Sequence, residues 1–287
     1  MKKITIILAL LVAGKLSLFA QTNGAINLSA GQKYAVENII TTSTSSEMMG
    51  QSMESKADVT SNYHLEVKAM SGDNINFLNT ITAMKMSVNA MGQDMNFDSD
   101  KKEDMNGDIG KNFKDIINQP KDVVMSKTGT VILKASADTT SDTATESNPT
   151  EMMMKQMGGD PASQGYGAKI AFEVIPKGAK VGTTWSDSSD QSGTKRVTKY
   201  TLKSINGNDY TIALDGTIDS QVKTEMQGME IQTKTTGKFT GEELVDAKTG
   251  VIKTNTTNSD ATGTVQVMGQ EIPTTSKITS VTTVKPI

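Results

Sequence analysis

The chain has 287 residues, 36% of them hydrophobic and 4% aromatic, with one histidine, no cysteine and a formal net charge of −3. Without cysteine there is no disulfide framework, no thiolate metal site, no cysteine nucleophile and no lipidated cysteine. The small net charge, with no basic cluster beyond Lys195-Arg196, argues against nucleic acid or an anionic membrane surface as the main partner.

Residues 1–20 have the layout of a secretory signal peptide. They begin Met1-Lys2-Lys3, run through the apolar stretch Ile4 to Val12, and reach Leu18-Phe19-Ala20 before Gln21. The expected location of the mature chain is therefore periplasmic or secreted. No later segment approaches the roughly 20 apolar residues that a spanning helix needs. A mature chain of about 265 residues is long enough to bury a sizeable core as one large or two smaller domains.

Residues 21–134 form a β-rich N-terminal half. Tyr63-His64-Leu65-Glu66-Val67, Ile75-Asn76-Phe77 and Val123 to Leu133 alternate with period two. Two Met-Gly hairpins fall here, Glu47-Met48-Met49-Gly50-Gln51-Ser52-Met53 and Ala90-Met91-Gly92-Gln93-Asp94-Met95. Two more follow later, Met226-Gln227-Gly228-Met229-Glu230-Ile231 and Val267-Met268-Gly269-Gln270-Glu271-Ile272. Glycine as the first residue of a two-residue loop suits a type II′ turn. That placement pairs Met48 with Met53, Ala90 with Met95, Met226 with Ile231 and Val267 with Ile272, all apolar. It leaves Met49, Met91 and Met268 exposed among polar neighbours at the hairpin tips.

Two short helices are predicted. Asp108 to Asn118 places Ile109, Phe113, Ile116 and Ile117 on one stripe before Pro120. Pro149 to Met157 follows an Asn148 cap, with Met153 and Met157 one turn apart. That Met-rich helix lies in a connecting segment, residues 135–168, rich in Ser, Thr, Asp, Ala and Gly. A second β-rich half, residues 169–287, contains Tyr210 to Leu214 and Lys277 to Val281. The halves share their turns. Gly72 to Met91 is the same distance as Gly207 to Met226, and Lys127-Thr128-Gly129 matches Lys248-Thr249-Gly250, which predicts an internal duplication.

Candidate chemistry is sparse. His64 lies inside an alternating strand and points away from Tyr63 and Leu65, towards solvent, with no orienting partner for a catalytic base. Asp98, Asp100, Glu103, Asp104 and Asp108 have the density of a calcium loop but miss its glycine spacing, so a solvated loop explains them. Met152-Met153-Met154 and Met157 offer soft thioether ligands for copper(I), yet no cysteine accompanies them and core packing is the plainer use. No catalytic, cofactor or metal site is assigned.

The Phe-Ala-Gln signal end, the Met-Gly-Gln hairpins, Gly92 to Ser99 and the Asp246-Ala247-Lys248-Thr249-Gly250-Val251-Ile252 turn together resemble an uncharacterised family of exported proteins, of unknown function, from Bacteroidetes-type bacteria. That resemblance implies no activity and no catalytic residues. A looser, fold-level similarity is to the LolA/LolB-like periplasmic lipoprotein carriers, which implies a bent antiparallel sheet over short helices.

The expected fold is mainly β, with long antiparallel hairpins in curved sheets or an incomplete barrel and two short helices. The expected function is a non-enzymatic envelope protein that binds an apolar small molecule or lipid, with Met48, Met53, Met95, Phe113, Met153 and Met157 as candidate lining. The alternative is a structural or interaction module with an envelope protein partner, using strand edges or the tips at Met49, Met91 and Met268. An enzyme ranks third.

Overall fold

The computed structural model describes residues 24–48, 50–90, 93–132, 163, 165–191, 193–226, 229–267 and 269–287. Met49, Met91, Met153, Met157 and Met268 lie outside the described residues, as do the signal segment, the 149–157 helix and the Met152-Met153-Met154 group.

Long strands joined by short turns dominate. β1 (Lys33–Met48), β2 (Gln51–Ser71) and β3 (Asn74–Ala90) are followed by the shorter β4 (Gln93–Asp98), β5 (Lys121–Ser126) and β6 (Val131–Ile132). The second half contains β7 (Thr184–Gln191), β8 (Thr194–Asn206), β9 (Asp209–Met226), β10 (Met229–Asp246), β11 (Val251–Val267) and β12 (Gln270–Pro286). Among the described residues these make one antiparallel 12-stranded sheet, ordered β6-β5-β3-β2-β1-β12-β11-β10-β9-β8-β7, with β4 also on β3. The sheet does not close into a barrel. The two halves join where β1 pairs β12, from Tyr34 opposite Pro286 to Ser46 opposite Thr274.

The halves repeat one unit. β2 and β8 each carry one extra residue, Lys68 and Lys203, beside the buried pairs Val67–Phe77 and Leu202–Ile212. Each bulge is followed by a glycine turn, Gly72 (φ 59°) and Gly207 (φ 62°). Each is also clamped the same way by the chain that enters the unit. Gly31 N–H donates to Val67 O and Val67 N–H to Gln32 O, while Gly182 N–H donates to Leu202 O and Leu202 N–H to Thr183 O. The main departure is beside β3. There β4 and β5 pair with its two ends, whereas the single strand β10 pairs with all of β9. The interruption between β4 and β5 holds α1 (Lys102–Asn106) and α2 (Asp108–Lys111).

The face that turns its side chains inward is apolar in the first half. Tyr63, Phe77, Phe113, Leu65, Ile75 and Met125 are all at most 1% exposed. Phe113 stacks on Phe97 at 5.1 Å, which makes it core and not ligand lining. A third helix, α3 (Tyr166–Ala171), covers this face, with Ala168 and Ala171 fully buried. Its Gly167 sits so close that a Cβ would meet the Tyr63 ring at 2.8 Å. The second half has its own smaller cluster of Trp185, Leu202, Ile212, Val245 and Ile252.

Two local expectations are corrected. In all four Met-Gly hairpins the glycine is the second loop residue, because Met48 pairs with Gln51, Ala90 with Gln93, Met226 with Met229 and Val267 with Gln270. That position takes positive φ in type I′ and type II turns, and Gly50 and Gly269 have φ of 77° and 81°. The slip is by two positions, so the expected pairs are no longer directly opposite, and Val267 and Ile272 share a face but stand diagonally. The helix predicted over 108–118 is regular only to Lys111 and continues as turns to Asn118, whose φ is 57°.

Candidate functional site

The inner face changes character across the sheet. In the second half, and on β1 and β2 near the Met-Gly tips, its side chains become small. Arg196, Ile218, Gly237, Ala261, Ser276, Thr44 and Ser55 face one another in register across the adjacent strands β8, β9, β10, β11, β12, β1 and β2. One step towards the tips runs a parallel row of Thr194, Ser220, Thr235, Gly263, Thr274, Ser46 and Met53. Larger side chains flank both rows. Phe239 and Ile278 stand on one side, and Val222, Val265 and Ile272 on the other. From Gly237 on β10 to Thr44 on β1 both rows consist only of Gly, Ala, Ser and Thr, and with the larger side chains on either side they outline a trough that crosses the strands. Most of its residues are half-buried, while their neighbours on the opposite face, such as Thr236, Thr262, Thr275 and Lys277, are exposed.

Met53 closes one end of the trough. Met95 lies beyond it on the same face, opposite Val88, and is 36% exposed. The structure therefore brings Met53 and Met95 to one face and withdraws Phe113 into the core.

Arg196 stands at the other end. Its guanidinium carbon lies 3.7 Å from the centre of the Phe239 ring. Phe239 in turn covers Gly216, where a Cβ would meet the ring at 2.3 Å. Arg196 has no hydrogen-bond or ion-pair partner among the described residues, and burial lowers its pKa. Below it lie Trp185 and Tyr200, stacked at 5.3 Å and 7°.

Two carboxyls share this region. Glu243 is 3% exposed, and its Oε1 accepts from Asn255 Nδ2 at 2.5 Å while Oε2 has no partner. Burial pushes its pKa up to about 7, against the opposing pull of Arg196 and the Asn255 hydrogen bond. Burial, then the charge of Glu243, holds the Glu173 carboxyl well above the usual carboxylate range. Burial also raises Tyr200, with Glu173 and Glu243 adding to it. Carboxyls displaced in this way beside a tyrosine suit general acid–base chemistry. Here Glu243 is 3% exposed, while Glu173 and Tyr200 are half-buried.

A polar line leads away from Glu243 across the inner face. Glu243, Asn255, Thr282, Asn38 and Ser61 are register partners on five successive strands. Asn38 Nδ2 donates to Thr282 Oγ1 at 3.0 Å, while Asn38 Oδ1 and Ser61 Oγ are buried without partners. Buried polar atoms of this kind are commonly met by ordered water.

Sequence reasoning passed over Arg196 and Glu243. Their signal was phase: both fall at alternate positions with buried residues, Arg196 with Thr198 and Leu202, Glu243 with Phe239 and Val245. His64 is exposed, as expected. The acidic residues after β4 form an outer-face network in which Lys85 bridges Asp98 and Asp100 at 3.3 and 3.1 Å. No cluster suited to a metal ion occurs among the described residues. Two open hollows of about 390 and 410 Å³ are lined largely by outer-face polar residues, including Asp58, Lys85 and Asp98 in one and Asp219, Lys234 and Thr262 in the other. No described helix is long and apolar enough to cross a membrane.

The model of a family of unknown function, DUF6263, matches residues 72–252, and the chain belongs to that family. No curated protein sequence matches it. Among solved structures, one titled for lipid–protein interactions in lipovitellin shares 10% identity at a TM-score of 0.47, covering 90% of this chain and 25% of that one. An outer-membrane channel from Pseudomonas putida F1 shares 8% identity at a TM-score of 0.26, covering 91% of this chain and 98% of that one. OccK5 (OpdH) from Pseudomonas aeruginosa shares 6% identity at 0.25, covering 89% and 98%. The chain thus spans a quarter of the lipovitellin chain it matches. At TM-scores below 0.5 these likenesses carry no argument about ligand or location. These matches name neither a Bacteroidetes source nor a LolA/LolB-like carrier.

Proposed function

We propose that this member of the DUF6263 family is an exported, non-enzymatic cell-envelope protein that binds an apolar ligand such as a lipid along the inner face of its sheet. The observation that carries this reading is the trough of small residues between Phe239 and Ile278 on one side and Val222, Val265 and Ile272 on the other. Small side chains leave room for a guest. Half-buried apolar walls gain by covering, at roughly 25 cal/mol per Å² of apolar surface removed from water. The signal-like layout of residues 1–20 supports export.

Position on the sheet makes the reading testable. Ser276 lies in the trough, and Thr275 beside it points to the opposite, exposed face. Ser276→Phe should fill the trough and abolish binding of a fluorescent acyl-chain probe, while Thr275→Phe should leave it intact. Equal binding by both variants and the parent would move the site off this face. The alternative is an interaction module for an envelope protein partner, and β7 (Thr184–Gln191), the last strand of the sheet among the described residues, favours it. Co-purification of a stable protein partner with no bound small molecule would select that alternative.

A further inference from the structure

The inner face holds an arginine with no hydrogen-bond or ion-pair partner among the described residues. Lys195, Lys199, Lys223, Lys234, Lys238 and Lys277 all sit on the outer face by strand alternation, leaving Arg196 to point inward from β8. A guanidinium carries five N–H donors. Arg196 uses its flat face on Phe239 and has no hydrogen-bonded acceptor among the described residues. Withdrawing a cation from water without a bonded partner is costly, so such an arrangement persists where a ligand supplies the partner.

We propose that Arg196 receives the anionic head of a single-chain amphiphile, with a fatty-acid carboxylate as the head and the acyl chain lying across the strands in the trough. This rests on the reading of the trough as an apolar binding surface. The geometry fits the ligand in three ways. Arg196 is in register with the row through Ile218, Gly237 and Ala261 and next to the row that begins with Thr194 and Ser220, so head and tail sites lie along one line. Planar guanidinium and planar carboxylate make paired hydrogen bonds. From β8 to β2 is six strand spacings, about 29 Å at ~4.8 Å each, enough for an extended long acyl chain. The acids nearby do not pre-empt the site. Glu243 bonds to Asn255, and burial holds both Glu243 and Glu173 towards their neutral forms.

The test uses the mature chain and three probes with one tail: dodecanoate, dodecanol and dodecyltrimethylammonium. Trp185 is the single tryptophan and is stacked on Tyr200, four residues along β8 from Arg196, so its fluorescence reports the head end. Calorimetry gives an independent affinity. Dodecanoate should bind at least about tenfold tighter than dodecanol, the scale of a charge-assisted hydrogen-bond pair. Arg196→Gln should reduce dodecanoate to the dodecanol level, while Lys195→Gln on the outer face should not. Equal affinity for dodecanoate and dodecanol in the parent protein overturns the head assignment while sparing the trough, and needs no variant to fold. Preference for the cationic probe also overturns it. No binding of any of the three overturns the trough reading as well.

Discussion

Glu243 ties the electrostatics of the second half to its stability, and Glu243→Gln separates the two. The carboxyl is 3% exposed with a pKa of about 7, against 4.5 for the free side chain. Below pH 4.5 it is protonated whether the chain is folded or not, so it contributes no pH dependence there. Between pH 4.5 and 7 the unfolded chain releases the proton while the folded chain keeps it. The unfolded state then binds fewer protons, and stability falls as pH rises, levelling off above about 7. At 1.36 kcal/mol per pKa unit the full loss is of order 3 kcal/mol. Glu173 is held in the same direction and adds to the slope. Glutamine keeps an oxygen for Asn255 Nδ2 and never ionises. Urea unfolding followed by Trp185 fluorescence should find Glu243→Gln level with the parent near pH 4.5 and more stable by about 1–3 kcal/mol at pH 8. A variant less stable than the parent at pH 8 would refute the reasoning, because it would mean that an ionised Glu243 near Arg196 holds the fold together.

Other perturbations probe packing and repetition. Gly167→Ala places a Cβ 2.8 Å from the Tyr63 ring and 2.9 Å from Asn79 Oδ1, so α3 must shift and thermal unfolding should show a loss of about 1–3 kcal/mol. An unchanged melting temperature would mean that α3 is not docked there. Gly72→Ala and Gly207→Ala meet open space but positive φ, and as equivalent turns of a repeat they should cost similar amounts, about 1 kcal/mol each. Clearly unequal losses would show that the two turns are not under the same constraint. The trough variants Ser276→Phe and Thr275→Phe should melt together yet differ in acyl-chain binding.

Strand alternation was legible because it is written in single side chains. Tyr63, Leu65 and Val67 are buried where period two puts them, and His64 is exposed between them. The matching turns showed in their glycines, and the bulges at Lys68 and Lys203 are a backbone likeness that no residue pattern displays. Loop position within the Met-Gly hairpins was misread because one glycine suits either of two loop positions, and only the pairing decides between them. α3 was hidden in a glycine-rich stretch read as a connection. Gly167 weakens its intrinsic helicity, and contact with Tyr63 and Asn79 explains the glycine there. The trough was invisible for a different reason: its rows run perpendicular to the chain. Gly237, Ala261, Ser276 and Thr44 are unremarkable in their own strands and become a surface only when six crossings of register align them. Of the expected lining, Met53 lies at the end of the trough and Met95 on the same face, while Phe113 is buried against Phe97.

The most direct test of the account is native mass spectrometry of the protein purified gently from its own cells, with an organic extract of the same sample analysed for lipids. The account predicts a reproducible mass adduct that extraction removes, with the released compound carrying an acyl chain and an acidic head. A clean, unadducted mass in the parent protein, together with no uptake of added dodecanoate, would contradict it.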